Sequence, residues 1–218
     1  MKRKIILLIT ALVILVSCQV QNNKNTLNLK TMNYELSTLY VPTDSTQFYF
    51  PNSVFYEFDN FCNKWYSKYL FAMREPVLFS DSSQIEIYRF VWLRTFHNPI
   101  AIRIEKQQNI YFLTWKLCNA EGGFEPGQLT IAKQKQIDDI TWEEFKTLFN
   151  QIDFWSMDTK VETMGNDGAR WILEGKVADK YHVVDRWTWS PMCGTYYRCC
   201  NFLIGLTDLT FNEKDPKY

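Results

Sequence analysis

The feature that most constrains the fold is a block of four consecutive strand-like segments in the middle of the chain. Each segment is alternating or continuously apolar and is bounded by turn residues, which is typical of β-strands. They span residues 85–96, 101–106, 110–118 and 128–137. Because short connections join antiparallel neighbours, the four segments are predicted to form a meander.

Helical patterns precede and follow this block. Aromatic and aliphatic residues recur at three- and four-residue steps over residues 53–75, which predicts a helix whose apolar stripe faces a core. Thr141, followed three residues later by Glu144, predicts a capping box at the start of a second helix. Pro191 stands where the first residue of a third helix belongs.

Two further strands, residues 169–175 and 181–189, lie between the second and third helices. The predicted order is therefore helix, four strands, helix, two strands, helix. Strands that come in blocks, instead of alternating with helices, favour an α+β fold. We predict an antiparallel meander sheet of about six strands with helices packed on one face.

The amino terminus has the three-part pattern of a secretory signal peptide. Basic residues at positions 2–4 precede twelve residues, 5–16, of which only Thr10 is polar. This run is short of the roughly 20 apolar residues that a membrane-spanning helix needs. Residues 15–18, "LVSC", resemble the lipobox of bacterial lipoproteins. The resemblance implies cleavage before Cys18 and a diacylglycerol on its sulfur; the alternative is an ordinary signal peptide with an incidental cysteine.

This interpretation divides the chain into three parts. Residues 1–17 are predicted to be the signal peptide, residues 18–33 a lipid-anchored flexible tether, and residues 34–218 a single α+β domain. The tether is rich in Asn, Gln, Lys and Thr and shows no apolar periodicity. Gln19, not Asp, follows Cys18, which is similar to outer-membrane sorting in well-studied lipoproteins. We therefore predict an outer-membrane anchor facing the periplasm.

The charge balance argues against one class of partner. The predicted mature chain has 21 Lys and Arg against 24 Asp and Glu. Nucleic acid is not expected as a partner, because phosphate binding needs clustered cations. The membrane, through the lipid on Cys18, and an envelope protein or glycan remain as predicted partners.

Five cysteines follow the lipobox: Cys62, Cys118, Cys193, Cys199 and Cys200. Their number is odd and their spacing matches no disulfide framework, although an oxidising compartment would permit disulfides. We expect most of them to be buried thiols, and leave any pairing open.

One hairpin places polar residues in a pattern that could carry chemistry. If residues 177–179 form its turn, Glu174 lies opposite His182, and Arg170 and Arg186 share their face. A carboxylate beside an imidazole raises its pKa and orients it as a general base. The two arginines could hold a carboxylate or phosphate. The alternative is a solvated sheet face with cross-strand charge pairs.

Aromatic residues are frequent, with 8 Trp, 12 Tyr and 16 Phe. Most fall on predicted core stripes. Trp92, Trp115 and Trp189 do not, and exposed Trp side chains stack on sugars. A carbohydrate-binding surface is therefore an alternative function.

Residues 162–191 resemble a stretch that recurs in lipoproteins of Bacteroidetes-type bacteria. The resemblance covers about 30 residues and implies no activity. The chain departs from the family's pattern at one place, where three residues, "TWS", separate Trp187 from Pro191 and make the spacing longer. The matching positions are Asp167, Gly168, Trp171, Glu174, Gly175, Tyr181, His182, Arg186, Trp187 and Pro191.

Taken together, these patterns predict a lipid-anchored envelope protein that acts as a non-catalytic binding or interaction module, without a cofactor or a metal site. Two alternatives remain open. One is an envelope hydrolase that uses Glu174, His182 and the two arginines, and the other is a carbohydrate-binding lipoprotein.

Overall fold

The computed structural model describes residues 39–56, 60–161, 167–188 and 194–211. The predicted signal peptide, the tether and Cys18 lie outside the described residues, as do Trp189, Pro191 and Cys193. Within the described ranges, no helix is both long and apolar enough to cross a bilayer.

The described residues form one antiparallel sheet and three helices. The sheet has the strand order β4-β3-β2-β1-β5-β6, which confirms an α+β fold with a six-stranded antiparallel sheet. The strands are β1 Glu86–Arg94, β2 Ile100–Gln107, β3 Ile110–Cys118, β4 Leu129–Ile137, β5 Ala169–Val177 and β6 Lys180–Trp187. The helices are α1 Phe61–Ala72, α2 Asp139–Gln151 and α3 Gly194–Gly205, and a short 3-10 helix spans Phe154–Ser156.

Both faces of the sheet are covered. Tyr88, Phe90 and Trp92 of β1 pack on the face that carries α2 and α3. Val91 and Leu93, which alternate with them, pack on the opposite face with α1. The prediction that all helices share one face therefore holds for α2 and α3 only. The physical reason is that β1 is apolar on both sides, so each side needs a cover.

Two of the three tryptophans that were candidates for a sugar-binding surface belong to the core. Trp92 is 1% exposed and Trp115 is 4% exposed, and both pack in the cluster under α2 and α3. Alternation along a strand decides this, because neighbouring residues point to opposite faces and both faces are covered here. Neither side chain is placed to stack on a ligand.

Helices α1 and α2 begin at different residues from those predicted, and the predicted start of α3 lies outside the described residues. α1 begins at Phe61, after a segment in which Phe50 and Phe55 pack edge to face at 5.1 Å. For α2 the cap is Asp138, whose Oδ1 accepts the Thr141 backbone N–H at 2.8 Å. The predicted capping box at Thr141 is therefore wrong. The helix begins three residues earlier, and the backbone N–H of Thr141 is satisfied by Asp138 instead of by Glu144.

Candidate functional site

The register of the β5–β6 hairpin decides where the predicted site residues lie. Its turn contains two residues, Ala178 and Asp179, so Gly175 pairs with His182 and Glu174 pairs with Val183. The prediction assumed a three-residue turn and is wrong by one position. Because side chains alternate with a period of two, this shift moves one strand's residues to the other face.

The four predicted site residues are consequently divided between the two faces. Glu174 and Arg170 lie on the α1 side, where their neighbour Ile172 packs. His182 and Arg186 lie on the α2 and α3 side, where Val184 packs. The structure does not bring Glu174 and His182 together, so the general-base pair predicted from the sequence does not form.

Glu174 is fully buried and forms an ion pair inside the protein. Arg89 of β1 places Nε 2.7 Å and Nη2 2.6 Å from Oε2 of Glu174. The hydroxyl of Tyr181 donates to Oε1 at 2.9 Å. Burial raises the pKa of Glu174, and the Arg89 guanidinium opposes that shift. Both carboxylate oxygens are therefore engaged by neighbouring side chains.

This pair belongs to a larger group that we call the α1-side charge network: Glu75, Arg89, Arg103, Glu105, Lys116 and Glu174. Oε2 of Glu75 lies 2.9 Å from Nη1 of Arg103, and its Oε1 lies 2.9 Å from Nζ of Lys116. Arg103 also reaches Glu105 at 2.9 Å. Burial alone would raise the pKa of Glu75, but Arg103, Lys116 and Arg89 outweigh it and lower the pKa to about 2.

The α1-side charge network holds the exit of α1 against the sheet. Arg89 Nη1 donates to the backbone carbonyl of Pro76 at 2.6 Å, and Lys116 Nζ donates to that of Arg74 at 2.7 Å. Three acids face three bases, so the group is balanced in charge. Balanced and mostly buried charges indicate a structural role for Glu174.

Arg170 takes part in a second buried group. Its Nη1 lies 3.4 Å from Oδ2 of Asp185, and its guanidinium lies 4.8 Å from the ring centroid of Trp187. Tyr66 of α1 donates its hydroxyl to the same Asp185 oxygen at 2.8 Å. Burial raises the pKa of Asp185, while Arg170 and Lys160 oppose that shift. This group joins α1 to the two last strands.

His182 and Arg186 hold residues 157–160 along the outer side of β6. The His182 Nε2–H donates to the Met157 carbonyl at 2.8 Å, and Arg186 Nη2 donates to the Asp158 carbonyl at 2.8 Å. The backbone N–H of Asp185 donates to the Thr159 carbonyl at 2.7 Å. Burial lowers the pKa of His182. These contacts cover an edge strand whose backbone groups would otherwise be open.

The opposite edge of the sheet is open. Among the described residues, no strand pairs with the outer side of β4. Most of β4 is exposed, including Lys133, Gln134, Lys135 and Gln136. We did not predict this edge, although the run of Lys and Gln at residues 133–136 was a usable signal, because charged side chains are typical of sheet edges.

The described cysteines are buried free thiols, as predicted for most of them: Cys62, Cys118, Cys199 and Cys200. Burial raises the pKa of Cys118 to about 11 and that of Cys199 to about 12. Within the part of the chain that the structure describes, no group of three or more His, Cys, Asp or Glu side chains could hold a metal ion.

The fold and these contacts define an α+β domain with one edge strand open and the other covered. A scan of protein-family models finds none that matches this chain, and a search of curated proteins finds no match either.

Proposed function

We propose that this chain is a lipid-anchored, non-catalytic module of the cell envelope that binds an extended segment of a partner protein along β4. The observation that carries the proposal is the contrast between the two sheet edges. Residues 157–160 cover β6 through contacts from the His182 and Arg186 side chains. β4 has no such cover among the described residues.

The geometry of β4 suits strand addition. It spans nine residues, which at about 3.4 Å each gives an edge of about 30 Å. Every second residue of an edge strand points its N–H and C=O outward, where an extended peptide can pair with them. The main chain supplies affinity in this mode, and side chains on alternate positions supply specificity.

The lysines of β4 are drawn away from the open edge. Lys133 Nζ lies 2.5 Å from Oδ2 of Asp208, and Lys135 Nζ donates to the backbone carbonyl of Leu206 at 2.7 Å. Both partners follow α3, on one face of the sheet. The lysine side chains therefore fold over that face and leave the backbone of β4 accessible.

The alternatives have less support. An envelope hydrolase would use Glu174 and His182, which lie on opposite faces of the sheet and are engaged by Arg89 and by Met157. A sugar-binding surface would use exposed tryptophans, and Trp92 and Trp115 are buried.

The anchor is tested separately from the binding edge. Intact-mass spectrometry of the protein from native membranes is expected to show cleavage before Cys18 and the added mass of acyl chains. Cys18→Ala should lose that mass. An unmodified polypeptide in the soluble fraction would refute the anchor and leave the binding edge untouched.

Photo-crosslinking tests the binding edge. A photoreactive amino acid at Gln136 of β4 is expected to crosslink to an envelope protein, and one at Lys180, at the start of the covered strand, is not. Gln134→Pro and Lys135→Pro refine the test. Backbone N–H groups along β4 point alternately toward β3 and away from the sheet, so one proline removes a bond to β3 and the other removes an outward donor. The variant that keeps the native melting temperature should abolish the crosslink. An undiminished crosslink would contradict the proposal.

A further inference from the structure

Cys62 of α1 contacts Lys160, which belongs to the segment that covers β6. The Lys160 amine lies 3.4 Å from Sγ of Cys62, and the two residues are 98 positions apart in the sequence. Lys160 also donates to the hydroxyl of Tyr56 and lies 3.7 Å from its ring centroid. Cys62 is 4% exposed, while Tyr56 beside it is 39% exposed. The Lys160 amine therefore contacts both a buried thiol and a tyrosine ring that is open to solvent.

The surroundings of this pair favour a reaction between the two side chains. Cys62 is a free thiol, and the described cysteines form no disulfide with one another. An oxidised cysteine sulfur is electrophilic and condenses with a nearby thiol or nitrogen. The amine of Lys160 is the nitrogen that contacts Cys62, and it is held there by Tyr56 and by the backbone pairing of its neighbour Thr159.

We propose that Cys62 and Lys160 form a covalent S–N cross-link when hydrogen peroxide oxidises the protein. In the first step the thiol attacks the peroxide, an S–O bond forms, the O–O bond breaks, and water leaves with the thiol proton. The sulfur is oxidised by two electrons to the sulfenic acid, and the peroxide is reduced. Once the ammonium has released a proton to solvent, the neutral amine attacks the sulfur. An S–N bond forms, the S–O bond breaks, and the oxygen leaves as water with a proton from nitrogen.

The cross-link goes beyond the proposed binding function and does not depend on it. It would join α1 covalently to residues 157–160, the segment that lies along the outer side of β6. A covalent tie between distant positions restricts the unfolded chain, as a disulfide does, so the melting temperature should rise. A dithiol reductant would restore both side chains.

Mass spectrometry of the full chain tests the proposal. The protein is treated with equimolar hydrogen peroxide at mildly alkaline pH, alkylated with iodoacetamide and digested. A linked pair of peptides is expected that contains Cys62 and Lys160 and is lighter by about 2 Da than the two free peptides together. The free-thiol count should fall by one per chain, and dithiothreitol should reverse both changes.

Matched variants show whether the contact is responsible. Cys62→Ser and Lys160→Arg should each abolish the linked pair of peptides. Lys64→Arg is the control, since Lys64 lies on α1 with Cys62, and it should leave the linked pair unchanged. Recovery of wild-type Cys62 as a sulfinic acid or unmodified, with Lys160 unlinked, would overturn the proposal. Fragment ions that assign the bond in the wild-type protein decide the matter even if the Lys160 variant fails to fold.

Discussion

Arg89 of β1 lies directly opposite Glu174 of β5, and their side chains form an ion pair at 2.6 Å in a region that is closed to solvent. The pair is one part of the α1-side charge network, which joins four strands, β1, β2, β3 and β5, to the exit of α1. Desolvation makes such a network costly to assemble, and removing one member leaves its partners buried without a counter-charge. Changes within it should therefore be far more damaging than changes to surface ion pairs.

Glu75→Gln should lower the free energy of unfolding by about 3 kcal/mol, because Arg103, Lys116 and Arg89 would lose a shared counter-charge. Urea unfolding monitored by tryptophan fluorescence measures the change. Glu125→Gln is the control, since Glu125 is 84% exposed and its pair with Lys68 should contribute less than about 1 kcal/mol. Equal effects of the two substitutions would contradict a structural role for the network.

The unfolding free energy should fall as the pH drops below the ordinary histidine value of about 6.5. Burial lowers the pKa of His182 in the folded protein, so protonation favours the unfolded chain, in which that pKa is not depressed. His182→Gln removes the titrating group and keeps a donor for the Met157 carbonyl. Between pH 7 and about pH 5 the variant should show a shallower loss of stability than the wild type. Identical slopes in urea titrations at each pH would refute this assignment.

Tyr66→Phe should cost about 1.5–3 kcal/mol, because it removes a hydrogen bond of 2.8 Å to a fully buried carboxylate. Asp185 would then keep Arg170, at 3.4 Å, as its side-chain partner on that oxygen. Tyr40→Phe is the matched control, since Tyr40 is 56% exposed and its loss should change stability by less than about 0.5 kcal/mol. Chemical denaturation of both variants gives the comparison, and a change below 0.5 kcal/mol for both would show that the Tyr66 bond is dispensable.

Two glycines should respond in opposite directions to alanine. A Cβ atom at Gly122 would lie 2.6 Å from the carbonyl oxygen and 2.8 Å from the nitrogen of Arg94, both backbone atoms, so Gly122→Ala should cost about 1–3 kcal/mol. Nothing lies within 4 Å of a Cβ at Gly205, at the end of α3, and Gly205→Ala should gain up to about 1 kcal/mol. Thermal melting measures both changes, and a lower melting temperature for Gly205→Ala would contradict the helix argument.

Local apolar patterns were sufficient to predict the strands. Each predicted strand ends within two residues of the observed one, from β1 at Glu86–Arg94 to β6 at Lys180–Trp187. Local patterns suffice because successive side chains of a strand point to opposite faces, so the alternation can be recognised within a few neighbouring residues. The start of α2 was less accurate, since Asp138 and Thr141 are both good capping residues and only the backbone geometry separates them.

The predicted catalytic site was wrong because the length of one turn was predicted incorrectly. A turn of two residues instead of three shifts the β5–β6 register by one position and places Gly175, not Glu174, opposite His182. The tetrad of Arg170, Glu174, His182 and Arg186 then separates into two pairs that face different cores. No local pattern in the sequence indicates which length that turn takes.

By itself, the sequence determined the identity of the strands and the α+β class, because hydrophobic periodicity and turn residues act over a few positions. Only the tertiary structure decided which helix covers which face, which sheet edge stays open, and which charges meet. The physical reason is that these outcomes depend on register and on contacts between segments far apart in the chain, such as Cys62 with Lys160 and Arg89 with Glu174.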